Sequence, residues 1–292
     1  MFLEVTDLHH IYQQGTPFEV SALKGVNFSA QSGEFLGIMG ATGSGKSTLL
    51  QHLNGLLKPT QGDVKVGGES IFTGRLSMKN LRTRLGMVFQ HPEQQLFAET
   101  VFQEVSFGPQ NQGLSPEEVE SRVKDALKLV SLDDEHLQDR SPFELSGGQM
   151  RRLALAGVLA MEPEILILDE PTSGLDPQGK IELLGHIAEL HQQKGLTVIM
   201  VSHLPQEILP QAHRILILHQ GRVALEGSPR EVFSRPRELE HYGIDLPPPV
   251  RLAEGLRQRG FFMSEQLLTE EEVCEEIFGS LYGLPGKEEG HE

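Results

Sequence analysis

The fold of this chain is decided by the stretch Gly40-Ala41-Thr42-Gly43-Ser44-Gly45-Lys46-Ser47. It matches the phosphate-binding loop pattern G-x-x-x-x-G-K-[ST]. The mostly apolar residues Glu34–Met39 precede it and predict a buried strand, whereas Thr48–Gly55 follow it and predict a helix that ends at a glycine. A strand, a loop and a helix in this order are the context that the pattern requires.

The residue types in this loop suit the binding of nucleotide phosphates. Glycines let successive backbone N–H groups turn inward around anionic oxygens, and the helix N-terminus adds positive potential. Lys46 brings a positive charge to the terminal phosphates, and the Ser47 hydroxyl is an oxygen ligand for Mg²⁺. The competing interpretation is a glycine-rich turn with a surface lysine. The residues predicted to bind the nucleotide here are Gly40, Ala41, Thr42, Gly43, Ser44, Gly45, Lys46, Ser47 and Thr48.

Two carboxylates, Asp169 and Glu170, end the apolar run Ile165–Leu168. Such a run predicts a strand buried on both faces of a parallel sheet, so the carboxylates emerge at its carboxyl end beside the phosphate loop. Asp169 is predicted to hold Mg²⁺. Glu170 is predicted to polarise the attacking water as a general base, an effect of about 10²–10⁴ in rate. The alternative is a pair of surface acids at a strand end.

Three more side chains lie where a nucleotide site would use them. Gln90 and His203 each follow a predicted strand, Leu85–Phe89 and Thr197–Val201, and ligand contacts gather at such strand ends. The Gln90 amide suits the metal or the attacking water, and His203 suits a hydrogen bond to a γ-phosphate. Tyr12, upstream of the loop, suits stacking on a base. Taken singly, residues in these places more often have no ligand. Gln90 would then be a polar residue at a strand end, His203 a histidine at the edge of the core, and Tyr12 a tyrosine at the rim of a sheet.

The segment Leu145–Gln149 reads L-S-G-G-Q. Ser146, with Gln149 three residues later, forms the capping box of a predicted helix. Gly147 and Gly148 are anomalous there because glycine weakens a first turn. They make sense if the backbone must come close to an anionic group at this helix N-terminus.

Asp176 and Pro177 open another predicted helix, which runs to about Lys194 and ends at Gly195. Aspartate is a preferred N-cap and proline a preferred first helical residue. This capping role does not exclude a contact between Asp176 and a partner.

The composition argues against several classes of partner. The net charge of −16 is a poor general match for DNA, RNA or anionic lipid, each of which needs clustered Lys and Arg. Apolar runs all fall short of the roughly 18–20 residues of a membrane span, and no signal peptide is expected at the N-terminus. A protein partner is therefore expected to hold this chain at any membrane where it works.

The sequence predicts an α/β fold in two domains. Residues 1–229 are predicted to form the nucleotide-binding domain, with an antiparallel β subdomain and a helical subdomain at about 91–163. Residues 230–292 are predicted to form a small, mainly helical extension, with a stiff extended linker at Pro247–Pro249.

The end of the chain is strongly acidic. Residues 264–292 carry nine acids against one lysine, Lys287, which is typical of a solvated face or a frayed tail. Apolar residues at helical spacing predict that part of it packs, and these are Val273, Ile277, Phe278 and Leu281.

In order and spacing, these motifs resemble an ATP-binding cassette (ABC) ATPase domain over residues 1 to about 230. The matching residues are Gly40–Ser47, Gln90, Leu145–Gln149, Asp169–Glu170, Ser173–Asp176 and His203, with Tyr12 at the position of the adenine-stacking aromatic. The resemblance implies a RecA-like P-loop core that hydrolyses ATP with Mg²⁺. It also implies that a dimer sandwiches ATP, so that one chain's Ser146, Gly147, Gly148, Gln149 and Asp176 serve the nucleotide held by the other.

A finer resemblance is to the energy-coupling factor (ECF) transporter ATPases of the A-prime, CbiO-like type. It rests on Tyr12–Glu19, Val88–Phe97, Phe107–Gly113 and Gly148–Met161. It implies pairing with an A-type ATPase and docking on a transmembrane T component. It also implies an indirect partner, the integral S component that binds a vitamin or a transition-metal ion. The implied location is peripheral, at the cytoplasmic face of the cell membrane, and the acidic extension is expected to support ATPase pairing.

Two carboxylates near Gln90 are further candidates under this resemblance. Glu93 and Glu99 are plausible recipients of arginines from the T component, although exposed charges are more often only solvated.

Other classes stay open as alternatives. The nearest is an ATPase of cobalt or nickel transport that works as two identical copies. A non-transport ABC protein of DNA repair or of the ribosome is disfavoured, because the chain shows no sustained heptads, no second ABC domain in tandem and no basic arms. A P-loop kinase or GTPase leaves Leu145–Gln149 unexplained.

Overall fold

The computed structural model describes residues 2–73 and 77–282, without the side chains of Glu135, Leu281 and Tyr282. The strands in these ranges are Leu3–Tyr12 (β1), Val20–Ala30 (β2), Phe35–Met39 (β3), Gln61–Val66 (β4), Glu69–Ser70 (β5), Leu85–Val88 (β6), Ile165–Asp169 (β7), Thr197–Val201 (β8), Arg214–His219 (β9) and Arg222–Gly227 (β10). The α-helices are Lys46–Leu53 (α1), Met78–Arg84 (α2), Val101–Gln112 (α3), Pro116–Leu129 (α4), Glu135–Gln138 (α5), Gly147–Leu159 (α6), Pro177–Lys194 (α7), Pro205–Ile208 (α8), Pro229–Phe233 (α9), Pro236–His241 (α10), Pro248–Gln258 (α11) and Glu270–Tyr282 (α12). Short 3₁₀ turns lie at Pro92–Gln95 and Pro142–Glu144.

The strands form two sheets. Six strands pair in the order β10-β9-β3-β8-β7-β6, in which β9 through β6 are parallel and β10 is antiparallel at one edge. Four strands pair in the order β2-β1-β4-β5, all antiparallel. The predicted α/β class and the predicted antiparallel β subdomain are confirmed.

The apolar runs of the sequence form the centre of the six-stranded sheet. All residues of β3 and β8 are buried, as are the first four residues of β7. Both faces of this sheet are covered, since one faces the helical region and the other faces α1 and the antiparallel sheet. Coverage on two faces is the reason that these strands show no polar alternation.

Helix ends follow the local capping signals. Ser146 forms the predicted capping box at the start of α6, and Ser115 forms a second capping box at the start of α4. The helix α7 ends at Gly195, whose φ of 60° is the left-handed conformation that glycine favours. At the other end of α7, Asp176 occupies the N-cap position, but its side chain makes no capping hydrogen bond, contrary to the predicted role.

Packing continues without a break across the predicted boundary at residue 229. Phe233 and Leu239, beyond the boundary, share one apolar cluster with Met39 of β3 and Ile217 of β9. The first part of the extension therefore covers an end of the sheet. The division into domains at this residue stays a prediction.

The predicted extended linker at Pro247–Pro249 is wrong in part. Pro247 is the N-cap of α11, and Pro248 and Pro249 form its first turn. The first turn of a helix has no intrahelical acceptor for its N–H groups, so prolines fit there at no cost in hydrogen bonds.

The last two helices pack on each other through a small cluster. Val273 of α12 is buried against Ala253 of α11 and Met263, and Ile277 is partly buried beside them. Phe278 is 55% exposed. Residues 283–292, with Lys287 and the last three acids of the tail, lie outside the described residues, as does the side chain of Leu281.

The helices of residues 2–73 and 77–282 differ in length and in apolar content. None of them is long and apolar enough to cross a membrane.

The shared cluster makes a stability prediction for Phe233, which is 1% exposed. Replacing Phe233 by Ala removes a buried ring and leaves a cavity, which costs about 3–5 kcal/mol. Urea unfolding of the full chain should therefore show a clearly lower midpoint. The matched control is Phe262→Ala, since Phe262 is 83% exposed and its loss should leave the midpoint nearly unchanged. Equal midpoints for the two variants would contradict the packing described here.

Candidate functional site

The carboxyl ends of four parallel strands open onto one cavity of about 850 Å³. Ligand sites in open α/β sheets lie at this edge. Residues that follow β3, β6, β7 and β8 meet there although they are far apart in the chain. The sequence-predicted residues that line it are Tyr12, Gly40, Ala41, Thr42, Gly43, Gly45, Lys46, Ser47, Thr48, Gln90, Asp169, Glu170 and His203.

The phosphate loop joins β3 to α1 through a turn that requires glycine at Gly45. Its φ is 108°, and a Cβ there would lie 2.8 Å from the carbonyl oxygen of Ala22. Both facts exclude an ordinary side chain. The turn points the N-terminus of α1 into the cavity, where its free backbone N–H groups suit an anion.

Lys46 is held over the loop. Its Nζ donates to the carbonyl oxygens of Gly40, at 2.6 Å, and Ala41, at 3.1 Å. Burial lowers the pKa of Lys46, while the nearby charges of Glu170 and Asp169 act in the opposite direction. An anion in the cavity would favour the charged ammonium in the same way.

The hydroxyl of Ser44 is a buried polar group without a partner. Its Oγ makes no hydrogen bond in the described structure, and the residue is 4% exposed. Among the predicted residues 40–48, Ser44 is the one that does not line the cavity.

The two carboxylates at the end of β7 differ in environment. Burial raises the pKa of Asp169, the charge of Glu170 raises it further, and Lys46 opposes both. A carboxylate in that position favours a cation beside it.

Glu170 is held in a strained conformation by its neighbours. Its φ is 46°, in the left-handed region, where a residue with a side chain pays about 1–3 kcal/mol. Its backbone N–H donates to Val201 at 2.9 Å. Gln90 Nε2 donates to one carboxylate oxygen at 3.0 Å, and His203 Nδ1 lies 3.4 Å from the other. In this structure, therefore, Gln90 and His203 both contact the predicted general base.

Tyr12 lies at the rim of the cavity. Its side chain is 37% exposed, and its hydroxyl lies 3.2 Å from Thr48 Oγ1. A ring in this place offers a flat apolar surface to a ligand whose phosphates lie on the loop.

The L-S-G-G-Q segment does not line this cavity. Ser146 Oγ accepts from the Gln149 N–H at 3.3 Å, and Gln149 Oε1 accepts from the Ser146 N–H at 2.9 Å, which closes the capping box. A Cβ on Gly147 would meet nothing within 4 Å, and one on Gly148 would meet only Leu175, at 3.9 Å. No packing contact within the chain therefore requires glycine at these two positions.

Asp176 also lies away from the cavity. It is exposed, and it makes no capping hydrogen bond in α7. Its carboxylate is thus available to a group outside the chain.

Arg151 of α6 links the segments around both regions. It is 5% exposed, and Nη2 lies 3.2 Å from Glu93 Oε2, in the 3₁₀ turn after Gln90. Its Nη1 donates to the carbonyl oxygen of Ser173, before Asp176. Glu93 is therefore engaged inside the chain, which leaves Glu99 as the exposed carboxylate of the two that were candidates for a partner.

Several lining residues have no signal in the sequence. They are Val20, Ser21, Ala22, Lys24, Gln220, Gly243, Ile244 and Asp245. The last three come from the C-terminal extension, and a Cβ on Gly243 would lie 3.3 Å from the Ala41 side chain. Contacts between segments about 200 residues apart depend on tertiary packing, so no local pattern announces them.

A family model described as ABC transporter matches residues 23–173. The energy-coupling factor transporter ATP-binding protein EcfA2 of Clostridium tetani is 47% identical and aligns over 95% of this chain and 96% of its own length. The protein of the same name from Symbiobacterium thermophilum is 51% identical, with the same coverage.

Solved structures agree with these relatives. The structure of cbiO1 from Clostridium perfringens, described as part of the ABC transporter complex cbiONQ, has a TM-score of 0.73 and 40% identity, and covers 87% of this chain and 98% of its own. A dimeric post-hydrolysis structure of the ATP-binding cassette MJ0796, bound to ADP and Pi, has a TM-score of 0.69 and 32% identity, and covers 78% of this chain and 99% of its own.

Substitution of Lys46 tests the phosphate site. Lys46→Ala removes a charge-assisted contact worth about 1.5–3 kcal/mol, so ATP affinity should fall roughly 10–100-fold. Calorimetric titration of the full chain with ATP measures this. Lys128→Ala removes an exposed lysine of α4 and should leave the affinity unchanged. ATP affinity that survives in Lys46→Ala would contradict the phosphate-loop assignment.

Proposed function

Since this chain belongs to the ABC transporter family, among proteins named energy-coupling factor transporter ATP-binding subunits, we propose that it is the ATP-hydrolysing subunit of an ECF importer. It powers uptake of a vitamin or a transition-metal ion through a transmembrane T component. The observation that carries this proposal is the division of motifs: one cavity gathers the phosphate loop, both carboxylates, Gln90 and His203, while the L-S-G-G-Q segment faces outward.

ATP is the substrate that the cavity suits. Residues 40–48 cradle the triphosphate with backbone N–H groups and the Lys46 ammonium. The ring of Tyr12 stacks on the adenine.

Glu170 is the proposed general base. It takes a proton from the attacking water, and Gln90 and His203 orient its carboxylate from two sides. The strained backbone of Glu170 fixes the direction in which the carboxylate points.

Mg²⁺ fits the same cavity. No group of three or more His, Cys, Asp or Glu side chains able to hold a metal occurs among residues 2–73 and 77–282. Mg²⁺ commonly takes one or two protein oxygens and completes its shell with substrate phosphates and water. We assign Ser47, Asp169 and Gln90 to it, in line with the raised pKa of Asp169. When bound, the ion neutralises charge on the phosphate oxygens.

A second ATPase subunit completes each site. The outward-facing Ser146, Gly147, Gly148 and Gln149, with the exposed Asp176, contact the nucleotide held by that subunit. The dimeric cassette structures among the neighbours support this arrangement. ATP then favours the closed pair, and hydrolysis with release favours the open pair.

The T component docks in a groove beside the 3₁₀ turn that follows Gln90. The groove has a volume of about 710 Å³, and Phe89, Phe107 and Met161 are among its lining residues. Phe97, 60% exposed, packs edge-to-face on Phe107 at the groove rim. An exposed apolar surface of this kind suits a segment of a membrane protein. In this proposal the chain reaches the S component only through the T component. The chain works at the cytoplasmic face of the membrane, and nucleic acid is not one of its partners.

The domain division is part of the same proposal. Residues 1–229 form the ATPase domain, with the helical subdomain at about 91–163. Residues 230–292 support pairing of the ATPases. The exposed Phe261, Phe262 and Phe278 of that extension are consistent with a surface for a second subunit.

A pair of identical copies is the second candidate. The dimeric structures of a single cassette, MJ0796, favour it. Purification of the tagged chain from membranes, with identification of the bound ATPase, separates the two candidates. A second, different ATPase chain supports the heterodimer, and only the tagged and untagged forms of this chain support the homodimer.

Glu170→Gln tests the general base. The substitution keeps the shape of the side chain but removes the base, so the hydrolysis rate of the assembled ATPase should fall by about 10²–10⁴. ATP binding should persist, and the closed pair should accumulate in size-exclusion chromatography. Glu189→Gln, on the exposed face of α7, serves as the control with full activity. Full turnover by Glu170→Gln would remove Glu170 from this role.

Gly147→Ala tests the outward-facing glycine. Alanine fits the helix without a clash and should stabilise the folded chain by about 0.5–1 kcal/mol, whereas the added methyl group blocks close approach of the partner's nucleotide. Stability should rise slightly while ATP hydrolysis falls at least tenfold. Gly185→Ala on α7, which also meets nothing within 4 Å, should stabilise the chain without loss of activity. Unchanged hydrolysis in Gly147→Ala would contradict the shared site.

A further inference from the structure

A closed circuit of side-chain contacts lies behind Tyr12. His10 precedes Tyr12 by two residues on β1, so both side chains lie on the same face of the strand. His52 lies on α1, one turn after Thr48. His10 is 8% exposed and His52 is fully buried.

The distances show that the circuit of contacts is continuous. His52 Nδ1 lies 2.7 Å from the Thr48 carbonyl oxygen, and His52 Nε2 lies 3.1 Å from His10 Nδ1. The rings of His10 and Tyr12 meet edge-to-face, with centroids 4.4 Å apart and planes at 76°. The Tyr12 hydroxyl closes the circuit at Thr48 Oγ1, 3.2 Å away.

The direction of one hydrogen bond is fixed by chemistry. A backbone carbonyl only accepts, so His52 Nδ1 donates to Thr48 and the imidazole is anchored to α1. Burial lowers the pKa of His52 and of His10, against smaller opposing effects of nearby backbone groups. Neutral imidazoles in a buried place suit a fixed support better than a charged pair would.

This closed circuit of contacts restrains the phenol of Tyr12 from two directions. One contact supports its ring and the other holds its hydroxyl, and both lead back to the helix that begins at the phosphate loop. A tyrosine side chain that is held in place before the ligand arrives loses less conformational freedom on binding, which strengthens affinity. Neither histidine lines the cavity, so any effect on the nucleotide passes through Tyr12.

We propose that His10 and His52 are positioning residues for the nucleotide base, which hold Tyr12 at a fixed place relative to the phosphate loop. The inference rests on the proposed function, in which Tyr12 stacks on the base. It assigns a role to two side chains that touch neither phosphate, metal nor water in the proposed reaction.

The experiment compares a ligand with a base and one without. Dissociation constants of ATP and of inorganic tripolyphosphate are measured by calorimetry on the full chain with Mg²⁺. His10→Leu should weaken ATP binding roughly three- to tenfold, the range expected when one side chain must be ordered on binding, and should leave tripolyphosphate binding unchanged. His10→Phe keeps an aromatic edge against Tyr12 and should restore most of the ATP affinity. His136→Leu, an exposed histidine of α5, is the matched control.

A double-mutant cycle shows whether the effect passes through Tyr12. Tyr12→Ala should weaken ATP binding by itself, and His10→Leu should then add nothing. His52→Leu should behave as His10→Leu does, which covers the case in which one of the variants folds poorly. Thermal melting of each variant confirms that the chain is folded at the temperature of the titration.

Four results would overturn the inference. They are an unchanged ATP affinity in both histidine variants, an equal loss of tripolyphosphate affinity, an effect that persists in the Tyr12→Ala background, and an unchanged ATP affinity in Tyr12→Ala. Failure of the proposed function looks different, because the unsubstituted chain would then bind neither ATP nor tripolyphosphate.

Discussion

Parallel pairing of β3 with β8 and β9, and of β7 with β8 and β6, is the constraint on which the rest of the structure depends. Parallel strands end at the same edge of a sheet, so residues that follow them in the sequence become neighbours in space. The phosphate loop, Gln90, the two carboxylates and His203 meet for that reason alone. The apolar burial of these strands on both faces supplies the rigidity that keeps them in place.

The buried ionisable side chains at this edge determine which ligand charges the cavity favours. Lys46 has a lowered pKa because it is buried, and Asp169 has a raised pKa for the same reason. A polyanion relieves the first and a cation relieves the second, so a metal–triphosphate complex suits both at once. Glu170, the residue after Asp169, has a strained backbone conformation, and Gln90 and His203 contact its carboxylate. Strain that neighbours enforce is typical of functional sites.

The outward-facing segment is joined to the cavity by one buried cation. Arg151 contacts Glu93, which follows Gln90, and the carbonyl of Ser173, which precedes Asp176. The Arg151 side chain is buried whereas that of Glu93 is partly exposed, so breaking this pair would leave the arginine charge buried without its carboxylate. The segment that we propose to face a second subunit is therefore connected directly to the segments around the chain's own cavity. Such a connection suits an enzyme whose sites are shared between subunits.

The sequence by itself determined whatever depends on neighbours along the chain. The phosphate loop, the buried strands, the capping box at Ser146 and the end of α7 at Gly195 all follow from local propensity, so they were predicted with nearly correct bounds. Tertiary structure alone decided the contacts between distant segments. It placed Gly243 against the phosphate loop, paired Glu93 with Arg151 and set two histidines behind Tyr12. These contacts depend on how elements pack across large sequence separations, and a linear pattern does not carry that information.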